Sequence, residues 1–162
     1  MEPNATRPHM PGYGILPAGE GTGLLPWSWA VERLTKSHDY WVTTTWPDGR
    51  PHLTAVWGAW LDGAVWFSCS DSSRKTKNLE QDPRCSIATD NAFEPVIVDA
   101  TAERVRDARS IRSFTDTVNA KYETDYGTDF FGDNALWVAR PQSAFALDEA
   151  DFAGSPTRWR LS

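Results

Sequence analysis

Two short turns, Pro47-Asp48-Gly49-Arg50 and Leu61-Asp62-Gly63, join three runs rich in aromatic and β-branched residues, and they leave this stretch very few ways to fold. Residues 40–46, 51–60 and 64–67 have strand composition. Parallel neighbours need a crossover of a dozen or more residues, which neither turn can supply, so the three strands must run antiparallel as a meander. Residues 84–89 and 96–105 read as two further strands separated by the turn-rich segment 90–95. Final strands are expected at 136–139 and 144–147, on either side of Arg140-Pro141, with an edge segment at 157–161.

Helices punctuate this sheet. Pro26 opens a short helix that carries Trp27, Ala30, Val31 and Leu34 on one face and Lys36 near its end. Serines 72 and 73 can cap a second helix that Asp82-Pro83 ends. Ala108, Ile111, Phe114, Val118 and Tyr122 recur at steps of three or four, which predicts an amphipathic helix over about 107–123. Residues 1–23 carry nine prolines and glycines, a density that opposes both helix and regular ladder; they read as a flexible extended arm before a domain spanning 24–162.

A chain of 162 residues, 40% hydrophobic and 23% charged, fits one globular domain. No apolar run approaches the roughly 18 residues needed to cross a bilayer, and residues 1–23 lack the pattern of a secretory signal, so no membrane association and a cytoplasmic location are expected. Cys69 and Cys85 lack the spacing of a zinc or redox pair, so neither metal nor disulfide is expected. A net charge of -6 argues against nucleic acid as a partner, and any anion site must be local.

The segment Ser68-Cys69-Ser70-Asp71-Ser72-Ser73-Arg74-Lys75 is where such a site would sit, directly after a buried strand and at a helix start. Free N–H groups and the helix dipole favour an anion there. Serine hydroxyls add donors, Arg74 a planar fork and Lys75 a point charge. Together they would hold one phosphate, with Ser70 and Ser73 as supporting donors, Ser68 at the strand end and Asn78 about one turn beyond Arg74. The competing reading is a capped surface helix with solvated cations.

Neighbouring motifs decide between the two. Asp48-Gly49-Arg50-Pro51-His52 leading to Val56-Trp57, the run Arg74-Lys75-Thr76-Lys77-Asn78-Leu79 with Asp82-Pro83-Arg84, and the ending Thr157-Arg158-Trp159-Arg160 occur in the same order as in the FMN-binding split-barrel flavoproteins of the pyridoxamine 5'-phosphate oxidase-like superfamily. The chain resembles that superfamily over residues 27–161, and in particular its branch that uses the deazaflavin coenzyme F-420; Ala55 stands where proline is more usual. The resemblance implies a mainly β fold, a six-stranded antiparallel Greek-key split β-barrel with flanking helices, which pairs as a homodimer with cofactor sites between subunits. It implies a phosphate grip by Ser73, Arg74 and Lys75, and contact with the ring system from the strand holding His52, Thr54, Ala55, Val56 and Trp57. The implied function is an oxidoreductase that passes hydride from F-420 to a small unsaturated or conjugated acceptor. An FMN-dependent reductase or oxidase and a non-catalytic flavin-binding protein are the alternatives.

No catalytic acid or base stands out. His52 reads as a barrel-surface histidine, and Tyr122, Tyr126, Phe130, Phe131 and Trp137 read as core or dimer contacts rather than a substrate pocket. Paired carboxylates and a GxSxG motif are both missing, so hydrolase chemistry is disfavoured.

Overall fold

The structure, a computed structural model, describes residues 2–161. In chain order it comprises β1 (Asn4–Thr6), α1 (Trp27–Lys36), β2 (Asp39–Thr45), β3 (Pro51–Leu61), β4 (Ala64–Cys69), α2 (Arg74–Gln81), β5 (Arg84–Thr89), β6 (Val96–Val105), α3 (Ala108–Tyr122), α4 (Thr128–Gly132), β7 (Ala135–Ala146) and β8 (Thr157–Arg160). The two turns behave as their residues dictate. Asp62 and Gly63 take φ of 51° and 74°, the consecutive left-handed pair of a tight hairpin loop, and Gly49 takes 88°.

Strands β7, β4, β3, β2, β5 and β6 are hydrogen-bonded in that order, and β6 pairs again with β7, closing a six-stranded antiparallel barrel. The path is a Greek key, because the chain leaves the β2–β3–β4 meander through α2 and lays β5 on the far side of β2. Strand alternation sorts the side chains. Tyr40, Val42, Phe67, Ile87, Val98 and Trp159 are fully buried in the main core, each large apolar side chain contributing about 1.5–3 kcal/mol through burial. On the outside, Trp66, Leu136 and Val138 form a second cluster under Phe114 and Val118 of α3 and Phe131 of α4.

Three elements depart from the sequence expectation. The strands expected at 136–139 and 144–147 are a single strand, because the proline falls at a register shift: Asp99 faces Ser143 and Ala100 faces Pro141, which leaves Gln142 as the extra residue of a bulge. The arm joins the sheet, since Asn4, Ala5 and Thr6 pair with Arg160, Trp159 and Arg158, so β8 is not an edge. Arg7 fastens it by donating to the carbonyls of Leu16, Pro17, Glu20, Gly154 and Pro156. The short helix α4 is too brief to leave a periodic signature. Among the described residues no helix is long and apolar enough to cross a membrane.

Candidate functional site

The corner between β4 and α2 is built by hydroxyls. Ser73 caps the helix by accepting from Thr76 N at 3.2 Å, and Thr76 Oγ1 donates to Ser70 O at 3.0 Å while lying 3.3 Å from Cys69 Sγ. The first two helical residues are then Arg74 and Lys75, with no acidic residue in the first turn. Cations are the wrong charge for the positive end of a helix dipole. Among the described residues neither forms an ion pair, whereas Arg84, Arg104 and Arg33 reach carboxylates at 2.6, 2.7 and 2.9 Å. Both are half-buried. A carboxylate-free, partly desolvated cation pair at a helix N-terminus has the donor set of a phosphate site.

Aromatic rings frame the pair. The Arg74 guanidinium lies 4.0 Å above the Trp46 ring and Arg50 lies 4.5 Å from the same ring, while His52 meets Trp46 edge-on at 6.1 Å. Burial, followed by the charges of Lys75 and Arg74, holds the His52 imidazolium below its ordinary pKa. The site therefore favours neutral imidazole when no anion is present.

The strand residues expected to touch a cofactor ring do not share one surface. Thr54 pairs with Val42 and His52 with Thr44, which places them with Val56 on the barrel's inner face, where Val56 packs in the main core. Ala55 and Trp57 point outward, beside exposed Trp41 and Leu53. Contact between Val56 and a ligand could thus involve only its backbone. Asn78 is not an exposed helix residue: its side chain is wholly buried and donates to Thr44 Oγ1 at 3.0 Å, linking α2 to β2. One helical turn on from Arg74, Asn78 lies on the same side of α2 but is fully buried where Arg74 is half-buried.

Trp57, Ser68 and Ser70 line a cleft of about 200 Å³ whose other walls include Tyr126, Phe130 and Phe131. Among the described residues no charged side chain lines it. Trp57 is held flat by Tyr122, stacked 4.2 Å away at 3°. Tyr122 Oη accepts from Gly58 N at 3.0 Å and donates to His38 O, and Lys121 Nζ donates to Gly58 O at 2.6 Å. Burial of Lys121 lowers its pKa to about 8. The segment after α3 is shaped by Asn119, which donates to Tyr126 O and accepts from Tyr126 N, both at 2.9 Å, and Asn134 fastens α4 by donating to Phe130 O at 2.7 Å.

The aromatic residues read from sequence as core or dimer contacts therefore divide. Tyr126, Phe130 and Phe131 line the cleft, Tyr122 backs Trp57, and Trp137 is buried in the barrel. Their signal in the sequence was aromatic density around Gly127, beyond the end of an amphipathic helix. Among the described residues no cluster of His, Cys, Asp and Glu could hold a metal ion.

The sequence profile of pyridoxamine 5'-phosphate oxidase matches residues 30–151. No curated protein matches the sequence. Among solved structures, a conserved hypothetical protein, Rv2991, from Mycobacterium tuberculosis superposes with a TM-score of 0.69 at 24% identity, covering 75% of this chain and 84% of that one. An F-420 reductase superposes with a TM-score of 0.58 at 23% identity over 70% of this chain and 93% of its own. A heme binding protein from Mycobacterium smegmatis gives 0.58 at 27% identity, covering 74% of this chain and 54% of that one.

Proposed function

Because the chain belongs to the pyridoxamine 5'-phosphate oxidase family, we propose that it is an oxidoreductase that uses coenzyme F-420 to deliver hydride to a small unsaturated or conjugated molecule. The observation that carries this reading is the Arg74–Lys75 pair, which stands without carboxylate partners among the described residues at the start of α2. The pair fits a phosphate, and Ser70 and Ser73 supply hydroxyls beside it. When bound, the deazaflavin would supply the hydride; the protein's part is to bind, orient and exclude water.

In this reading Arg74, Lys75, Ser70 and Ser73 hold the phosphate, and Trp57, made rigid by Tyr122, offers a flat apolar surface to rings. The acceptor lies against Tyr126, Phe130 and Phe131. A cleft of about 200 Å³ with no charged lining suits a neutral, ring-sized molecule, since clefts for drug-sized ligands run from about 300 Å³ upward. The proposed homodimer would use the outer face of the sheet, where Ala55, Trp41, Ala88 and Ile97 form one apolar row across β3, β2, β5 and β6. A cytoplasmic location is part of the same proposal.

The phosphate grip would serve FMN equally, so the FMN-dependent alternative rests on the same side chains. Support for F-420 comes from the sequence motifs and from the F-420 reductase among the structural neighbours. Titration with F-420, FMN and riboflavin, followed by tryptophan fluorescence, tests the reading. Tight F-420 binding with turnover of conjugated acceptors supports it. FMN binding without F-420 binding transfers it to the alternative; F-420 binding without turnover of any acceptor leaves a carrier; and equal binding of FMN and riboflavin overturns the phosphate assignment.

A further inference from the structure

Among the described residues, three buried polar atoms around one end of the barrel lack hydrogen-bond partners: His52 Nδ1, Thr54 Oγ1 and Asn78 Oδ1. Buried polar groups are nearly always paired, so a group of three calls for an explanation. They belong to one neighbourhood. Thr44 lies directly across the ladder from His52, where facing Cβ atoms are about 5 Å apart, and Asn78 donates to that same Thr44. Thr54 stands two residues along β3 on the same face as His52.

The groups around His52 come from every element packed there. Trp46, in the turn after β2, meets its ring edge-on, and Arg50 in that turn is already paired with Asp48 at 2.8 Å. Thr44 faces it from β2 and Thr54 from β3, while Arg74, Lys75 and Asn78 come from α2. The two unpaired cations disfavour a charge on the imidazole, and no carboxylate acts on it.

An anion between Arg74 and Lys75 would reverse that balance. Building on the phosphate reading above, we propose that His52 takes up one proton when a phosphate group docks at the start of α2, so that cofactor binding is coupled to protonation. The proton comes from solvent and leaves both ring nitrogens as donors. Nδ1–H then has two acceptors that at present lack donors, Asn78 Oδ1 and Thr54 Oγ1. Nε2–H is left to serve the anion. A neutral ring has one N–H and can serve either these acceptors or the anion, whereas the charged ring serves both at once, and that difference favours protonation when phosphate docks.

The coupling predicts that phosphate-bearing ligands bind more tightly as pH falls from about 8 to 6, by up to tenfold per unit, since one proton enters per ligand. The test follows the His52 Cε1–H resonance through a pH titration of the full chain, alone and with F-420 or FMN. Calorimetry in buffers of different ionisation enthalpy counts the protons. Upward movement of the His52 midpoint by at least one unit with the phosphate ligand, and none with riboflavin or deazariboflavin, is expected. His52→Gln, which cannot titrate, should abolish proton uptake and flatten the pH dependence. A His52 midpoint that neither F-420 nor FMN moves overturns the proposal. If phosphate and phosphate-free ligands bind equally, the phosphate site itself fails; if only the phosphate ligands bind well and His52 stays still, the site stands and the coupling falls.

Discussion

Replacing Lys75 by Glu should weaken cofactor binding severely while making the empty protein slightly more stable, and the opposite signs make the substitution informative. The loss of a charge-assisted contact to phosphate removes about 1.5–3 kcal/mol. A carboxylate in its place adds repulsion of about 3 kcal/mol at 5 Å and an effective dielectric of about 20. Lys75 is only half-buried, so screening reduces both, to a net of about 3 kcal/mol. At about 1.4 kcal/mol per decade, the dissociation constant for F-420 or FMN should rise at least about 100-fold. Stability moves the other way, because position 75 lies in the first turn of α2, which has two cations and no acid. A glutamate there gains about 0.3–1 kcal/mol from the helix dipole, or about 1–3 °C in a chain of this size. Fluorescence titration and thermal unfolding of the same preparation read both quantities. Affinity within about threefold of the parent protein would refute the phosphate assignment. A fall in Tm of several degrees accompanying lost affinity would show that Lys75 matters to the fold instead.

The remaining expectations concern packing, the cleft and pH. A methyl group on Gly58 would lie 2.6 Å from Trp66 O, a ladder oxygen that cannot step aside, and 3.2 Å from the Tyr40 ring; Gly58→Ala should therefore cost about 1–3 kcal/mol in urea unfolding, and an unchanged midpoint would contradict the packing described. Phe130 is 46% exposed, so Phe130→Ala should leave Tm within a degree or two and cofactor affinity intact while raising KM for the acceptor several-fold; an unchanged KM would remove the cleft from the substrate path. Burial puts Lys121 at about 8 against 10.5 for the free side chain, so the unfolded chain binds more protons between those values and stability from this group rises with pH from about 8 to 10. Burial raises Tyr122 from 10 to about 12, so the native state keeps a proton the unfolded chain loses, and its contribution falls across that interval. Denaturant midpoints at pH 8, 10 and 11.5 should therefore rise and then fall, and Lys121→Met should remove the rise. Trp159 is fully buried where β1, β7 and β8 meet; Trp159→Ala should cost about 3–5 kcal/mol, and a loss below 1 kcal/mol in guanidinium unfolding would contradict its place in the core.

The amino-acid sequence by itself determined the elements and the chemistry offered at one corner. The turns at Asp48-Gly49 and Asp62-Gly63 are local, so they dictated the meander before any long-range contact formed. Ser73 caps its helix through a bond three residues long, so the start of α2 and the presence of Arg74 and Lys75 there were readable too. Tertiary structure decided everything that depends on which side of an element faces what. Pro141 interrupts a strand pattern, and only the partner strand β6, by shifting register at Asp99 and Ala100, lets the ladder run through it. Asn78 reads as one more polar residue near Arg74 until the barrel end beneath α2 turns it inward to Thr44. His52, Thr54 and Val56 separate from Ala55 and Trp57 because alternation along β3 sends them to opposite faces, and barrel closure decides which face is inside. The aromatic cleft was the least legible feature, since Trp57, Ser68 and Phe130 lie far apart in the chain and meet only when α3 and α4 pack on the outside of β4 and β7.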